Sequence, residues 1–274
     1  LHPHNKISNI QRKIMTTIGS SNVYNIAIKG SFDDCQKIVK DMFNENEFRE
    51  KINMSGVNSI NWARIICQVV YYFYGFFKIN KQKINFSVPT GNFGDIYAGY
   101  IAKKMGLPID KLIVATNEND ILKRAIDTGE YKPNKVKPSL SPSMDIQVSS
   151  NFERLLFYIL NQDDKKVDLL MNDLITKGSF KLNEKEIAVI KKDFYAEKIN
   201  DNQTLSIISD FNLNFKFIFD PHTATAIGAA EKFGNLSDTI VLGTAHPYKF
   251  LETVKKATGK EITAPDQLSN ITNK

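Results

Sequence analysis

The residues best suited to chemistry fall in positions 84–99, which read INFSVPTGNFGDIYAG. A buried strand ending at Pro89 feeds a turn of Gly91, Asn92, Phe93 and Gly94, and a helix opens at Asp95. The first turn of a helix offers backbone N–H groups without partners and a partial positive charge, so the arrangement suits a phosphate. Gly91 and Gly94 let the backbone approach such a ligand with no Cβ in the way. The spacing is neither GxGxxG nor a P-loop, because no Gly-Lys-Ser/Thr follows. A tight strand-to-helix turn capped by Asp95 explains the same residues without a ligand.

Three other groups carry chemistry-bearing side chains. Asn61, Arg64, Gln68 and Tyr72 recur at steps of three and four, so they share one face of an otherwise apolar helix. That face is either a solvated stripe or the wall of a site. Asp220-Pro221-His222-Thr223 opens a helix with Asp220 as N-cap and Pro221 in the first helical position, leaving His222 either structural or turned to a cleft. Thr244 ends the last strand. In parallel α/β sheets ligands lie beyond the carboxyl ends of the strands, although a threonine can also simply terminate one. Ser150-Asn151-Phe152-Glu153 has the pattern of a capping box, and Trp62 reads as core packing.

The elements that must position these groups alternate. Strands are expected at 23–28, 84–88, 112–116, 215–219 and 239–244, with helices at 31–43, 59–78, 95–105, 119–127, 223–233 and 250–257. Residues 128–149 read as a surface excursion and helices dominate from there to about 209. Such alternation predicts an α/β fold, a mostly parallel sheet with helices on both faces. A chain of 274 residues, 42% hydrophobic and 24% charged, is ordinary for a globular protein. The apolar run from 65 to 77 is too short to span a bilayer, and nothing in residues 1–13 resembles a signal peptide. Cys35 and Cys67 form neither a disulfide framework nor a metal site, which points to a reducing cytoplasm. The net charge of +6 comes from scattered lysine pairs rather than a basic stripe, which argues against nucleic acid and is compatible with a phosphorylated metabolite.

The string PTGNFGDIYAGYIAKKMGLPIDKLIVATNENDIL, residues 89–122, closely resembles the cofactor-phosphate loop and following helix of threonine synthases. SFDDCQKIVKDMF (31–43), NSINWARIICQVVYYF (58–73), SPSMDIQVSSNFERLLF (141–157), DPHTA (220–224) and GTAHPYKF (243–250) resemble the same family in the same order. The SINWAR and SPSMD strings argue against a serine or threonine dehydratase of the same superfamily. The resemblance implies the large domain of a fold type II pyridoxal-phosphate enzyme at 56–274, with the remaining part of its smaller domain at 1–55. It implies that Gly91, Asn92, Phe93, Gly94 and Asp95 hold the phosphate of pyridoxal 5'-phosphate and that Thr244 partners the ring nitrogen. It also implies that Ser59 and Asn61 lie near the cofactor or the substrate, O-phosphohomoserine, and that Arg64 holds an anionic group, while His222 is a further candidate for the substrate side of the cleft.

The family's cofactor-holding lysine lies in a Pro-Thr-x-x-Phe-Lys-Asp segment with no counterpart in this sequence. Lys29, Lys51 and Lys249 match none of its surroundings. The expectation is therefore a C-terminal part of a threonine synthase, inactive alone, monomer or homodimer when whole. A non-catalytic remnant or phosphometabolite-binding module of the same superfamily is the alternative.

Overall fold

The computed structural model describes residues 1–266 apart from Lys6, Ser8, Val57 and Ser59. The N-terminal segment holds β1 (His2–Pro3), α1 (Asn9–Thr16), β2 (Ala27–Ile28), α2 (Phe32–Asn44) and α3 (Asn46–Lys51). Next come α4 (Trp62–Lys78), β3 (Ile84–Pro89), α5 (Gly94–Lys104), β4 (Ile109–Thr116), α6 (Ile121–Thr128) and β5 (Glu130–Tyr131). After a 3-10 turn at Pro142–Met144 follow α7 (Phe152–Ile159), α8 (Asp164–Lys177), β6 (Phe180–Lys181), α9 (Glu184–Asp193) and β7 (Phe194–Lys198). The chain continues through α10 (Asp201–Phe215), α11 (Pro221–Phe233), β8 (Thr239–Val241) and α12 (Leu251–Thr258). Among the described residues no helix is long and apolar enough to cross a membrane.

The central sheet has the order β7-β4-β3-β8, with every neighbouring pair parallel. Alternate residues of β4 serve opposite faces, as a pleated strand requires. Leu112 and Val114 join a core built with α4, α5, α6 and α7, whereas Ile113 and Ala115 pack against α10 and α11. Helix α11 comes close to the sheet because its inner face is small: Ala224, Ala226 and Ala229 are all 0% exposed, and Ser87 Oγ donates to the Ala226 carbonyl at 2.7 Å. Both faces are covered, which is the expected α/β architecture.

Some expected elements differ. Residues 215–219 form no strand: Phe215 closes α10, Lys216 turns left-handed at φ 56°, and Phe217 and Phe219 pack on each other at 4.7 Å. Their alternation of apolar and polar residues serves an aromatic cluster rather than a ladder. The strand at 23–28 shrinks to Ala27–Ile28, which among the described residues pairs only with β1. Helix α4 starts at Trp62 because the Asn61 side chain caps it, accepting from Ala63 N at 2.9 Å. Trp62 is not core: it is 40% exposed, with the Arg154 guanidinium over its ring. The box expected at 150–153 makes no side-chain cap, because Ser150 Oγ and Asn151 Nδ2 turn instead to Asn92.

Candidate active site

The glycine turn sits where the carboxyl end of β3 meets the start of α5. Thr90 N is tied to the Ala115 carbonyl at 2.8 Å, which fixes the turn to the sheet on one side. On the other side, Asn151 N and Nδ2 both donate to the Asn92 carbonyl, at 3.1 and 3.0 Å. Phe93 is the N-cap of α5 and lies in the left-handed region at φ 63°, ψ 8°. That conformation costs a non-glycine residue on the order of 1–2 kcal/mol, so packing must hold it. The Phe93 ring is 1% exposed, wedged 5.4 Å from Phe152 and 5.6 Å from Phe194. The result is a left-handed residue leading into a helix, which turns successive N–H groups into one concavity. No side chain caps α5, and among the described residues no acceptor takes the backbone N–H groups of Asn92, Phe93, Gly94 or Asp95. The expectation that Asp95 caps this helix is not met.

The residues of this turn line a cavity of about 930 Å³, together with Asp33, Arg64, Ser143, His222 and Thr244. Gly91 is required there: a Cβ would lie 2.9 Å from the Ser143 carbonyl and 3.2 Å from Met144 Cα. A side chain at 91 would push the 3-10 turn away from the glycine turn.

Asp95 borders the cavity with one edge and is otherwise enclosed. Tyr72, fully buried on α4, donates its hydroxyl to the Asp95 carbonyl at 2.8 Å and to Oδ1 at 3.3 Å. Burial raises the Asp95 carboxyl to about 6, opposed in part by that hydrogen bond and by the Arg64 charge. The group is therefore half-protonated near pH 6 and largely ionised at neutral pH, with a protonated fraction on the order of a tenth at pH 7.

His222 is 3% exposed and held from both ends. Its Nδ1 lies 3.0 Å from Asp220 Oδ1, which also accepts from the His222 and Thr223 amides. The Thr223 hydroxyl donates to the other Asp220 oxygen. Ser143 N–H donates to His222 Nε2 at 3.2 Å, which fixes Nε2 as the acceptor and Nδ1–H as the donor. His222 thus links the cap of α11 to the turn that faces Gly91.

The predicted residues separate into three groups. The structure brings together 91–95, Arg64, His222 and Thr244 around one cavity. Asn61 is not on its wall; its side chain caps α4 and donates to the Gly56 carbonyl at 2.6 Å. Ser59 lies outside the described residues. Sequence reasoning missed Asp33, whose Oδ1 is buried with no hydrogen-bond partner and whose carboxyl is raised by burial and then by Asp34. One signal could have found it. Ser31 and Asp34 complete a capping box, which leaves Asp33 as the first-turn acid with no local task. Ser139 and Asp145 were missed too. Asp145 accepts from Ser139 N and Oγ, Asn117 Nδ2 and Asn119 Nδ2, which stiffens the wall opposite the glycine turn.

Comparison with known proteins bears on the family of the chain. The family model for the C-terminal region of threonine synthase matches residues 223–274. Threonine synthase of Pseudomonas aeruginosa is 45% identical over 276 residues, covering 99% of this chain and 59% of its own length. The Saccharomyces cerevisiae threonine synthase is 45% identical over 280 residues, covering 94% of this chain and 54% of its own. The crystal structure of a PLP-bound threonine synthase from Brucella melitensis superposes with a TM-score of 0.90 at 45% identity, covering 99% of this chain and 59% of that one. The chain therefore spans somewhat over half the length of these relatives. With near-complete coverage of its own length at this identity and the fold shared throughout, the chain belongs to the threonine synthase family.

Proposed function

We propose that this chain carries the cofactor-phosphate cradle and ring partner of a threonine synthase, the enzyme that converts O-phosphohomoserine and water to L-threonine and phosphate. The observation that carries this reading is the set of open N–H groups at residues 92–95, in a turn that lines the cavity. Their donors, together with the positive end of an 11-residue helix, suit a phosphate dianion. The site residues fit the cofactor on that ground. Bound there, pyridoxal 5'-phosphate supplies an electron sink for the charge left when a proton leaves the substrate.

The chain's own residues divide the remaining work. Thr244, on the cavity wall, would offer a hydroxyl to the ring nitrogen, and a hydroxyl, unlike a carboxylate, would not force that nitrogen to stay protonated. Arg64 offers a planar fork to the substrate's anionic group. His222 holds the Ser143 turn at its place opposite Gly91. The family's cofactor-holding lysine, which also moves the proton, has no counterpart in this sequence. The chain by itself therefore forms no threonine. The division at residue 55 fits the same reading, since the cavity lies between the N-terminal segment, through Asp33, and the main sheet.

Calorimetric titration tests the cradle directly. Pyridoxal 5'-phosphate is expected to bind at least about tenfold more tightly than pyridoxal, because charge-assisted bonds from backbone N–H groups act only on the phosphate. Equal affinities overturn the cradle. Threonine formation from O-phosphohomoserine by the purified chain with added cofactor overturns the claim that it is inactive alone.

A further inference from the structure

One side chain beside the glycine turn breaks two rules of stability at once. Asn151 is the N-cap residue of α7, where an asparagine normally turns its side-chain oxygen to the free N–H groups of the first turn. It makes no such bond. Its Oδ1 is instead buried without a hydrogen-bond partner, in a residue that is 0% exposed. Buried polar atoms are nearly always paired, and helix ends are usually capped. Where a chain departs from such local rules, function rather than folding commonly sets the conformation.

The other end of the same amide shows what is gained. Asn151 N and Nδ2 both donate to the Asn92 carbonyl, at 3.1 and 3.0 Å. A carbonyl accepts only from a donor, so the amide nitrogen faces it and Oδ1 is turned away. Ser150 holds the Asn92 side chain in a similar grip, its N and Oγ donating to Oδ1 at 3.4 and 3.2 Å. A peptide unit is planar and trans, so its C=O and N–H point in opposite directions. Fixing the Asn92 carbonyl against the start of α7 therefore turns the Phe93 N–H away from α7.

This peptide needs the help and its neighbours do not. The N–H groups of Gly94 and Asp95 belong to the first turn of α5, and helical geometry aims them. Phe93 stands outside that turn, at φ 63°, ψ 8°. Among the described residues only Asn151 donates to the carbonyl of the 92–93 peptide, and no acceptor takes its N–H. A simple fastening of α7 to the turn would be complete with the backbone bond from Asn151 N. The second donor on the same oxygen adds orientation.

We propose that Asn151 is a positioning residue for the phosphate site: through the Asn92 carbonyl it sets the tilt of one peptide, so that the Phe93 N–H converges with those of Gly94 and Asp95 on a phosphate. This rests on the reading of the turn as the cofactor-phosphate cradle. A fastener acts on the whole turn, whereas a positioning residue acts on one N–H.

Amide NMR of the isotopically labelled chain, titrated with pyridoxal 5'-phosphate, separates the two. In the parent chain the amides of Phe93, Gly94 and Asp95 are expected to shift downfield together, as charge-assisted hydrogen bonds form. In Asn151→Ala the shift at Phe93 is expected to fall to less than half, while those at Gly94 and Asp95 persist. Affinity for pyridoxal 5'-phosphate is expected to fall about tenfold, the equivalent of one hydrogen bond to a charged group. Asn151→Leu fills most of the volume without a donor and is expected to give the same pattern, so that a void left by alanine is not the cause. A Phe93 shift that both variants leave intact overturns the proposal. So does an equal loss at all three amides, which is the signature of a fastener. Loss of the folded spectrum in both variants overturns it too, because Asn151 then serves the fold as a whole. If no amide of the parent chain responds to the cofactor, the cradle reading fails and this inference with it. A normal parent response that the variants do not alter defeats this inference alone.

Discussion

Residues 84–126 and residues 9–54 both alternate between strand and helix, yet they solve burial in opposite ways. In the first stretch Phe86, Val88, Ile96, Leu112, Ile113 and Val114 are 0% exposed, and the helices find their partners within this chain. In the second, Cys35 is the sole buried residue among the described side chains, while Tyr24, Ile26, Ile18 and Ile52 are 82%, 53%, 52% and 50% exposed. A segment that leaves its apolar side chains in water gains little from the hydrophobic effect and opens locally at low cost. The first stretch is therefore a finished core that positions the glycine turn. The second, like the outer face of α4, leaves its apolar side chains uncovered by the rest of the chain.

The largest test of that contrast removes a side chain from the finished core. Phe86 packs its ring 4.7 Å from Tyr72 and lies beneath Gly75. Phe86→Ala is expected to cost about 3–5 kcal/mol of unfolding free energy, read from the urea midpoint. A loss below about 1 kcal/mol would show that the core is looser than its burial implies.

A second test concerns Asp95, where the core meets the cavity. Its carboxyl, near 3.9 in an unfolded chain, stands at about 6 in the fold, chiefly through burial. The folded state thus holds the proton more tightly. The stability this contributes is full below about pH 4 and is lost as pH rises through about 6. Asp95→Asn removes the ionisation but keeps an acceptor for the Tyr72 hydroxyl. It is expected to stabilise the chain at pH 8 by at most about 3 kcal/mol, since each tenfold change in proton affinity is worth about 1.4 kcal/mol. The gain should shrink to nothing near pH 4. Melting temperatures at pH 4, 6 and 8 decide it, and a gain independent of pH would exclude this cause.

Next in size is His222, which joins two walls of the cavity. His222→Ala leaves the Ser143 N–H without its acceptor and takes the ring from Asp220 Oδ1, which keeps its two backbone amides, and is expected to cost about 1–3 kcal/mol. His222→Gln, which can again present an acceptor to Ser143, should recover part of that loss. Amide exchange at 139–146 should quicken in the alanine variant and slow again in the glutamine one. Equal exchange in both would mean that His222 does not hold the turn.

Much of this was legible in the residues. The strands expected at 84–88 and 112–116 and the helix after the glycine turn follow from short apolar segments and from Pro89, Gly91 and Gly94, although β4 begins earlier, at Ile109, through Asp110 and Lys111 that carry no strand signal. Asp220-Pro221 marks the start of α11 because cap and first-turn preferences are local. Residues 215–219 misled because alternation fits either a ladder or an aromatic cluster, and only the tertiary partner decides. Trp62 misled for a related reason. Large apolar residues are usually inside, but this one is 40% exposed, with only the Arg154 guanidinium laid over its ring. The cavity's second wall, Ser139, Ser143 and Asp145, was illegible because its hydrogen bonds span loops that no periodicity marks.

The smallest expected effect tests the unfinished side. Tyr24 is 82% exposed, and no ring or hydrogen-bond contact of its side chain is present among the described residues. Tyr24→Ser should therefore shift the unfolding free energy of this chain by less than about 0.5 kcal/mol, as for a surface position without special contacts. The informative measurement repeats the comparison with the segment of the Pseudomonas aeruginosa relative that this chain does not span bound as a separate polypeptide. If residues 9–54 are completed by that segment, Tyr24 becomes buried. The same substitution then costs about 1.5 kcal/mol or more, the lower end of the value of burying a large side chain. An effect equally small in both states would mean that Tyr24 is an ordinary surface residue. The contrast between the two stretches would then rest on the other exposed side chains, Ile18, Ile26 and Ile52, and on α4.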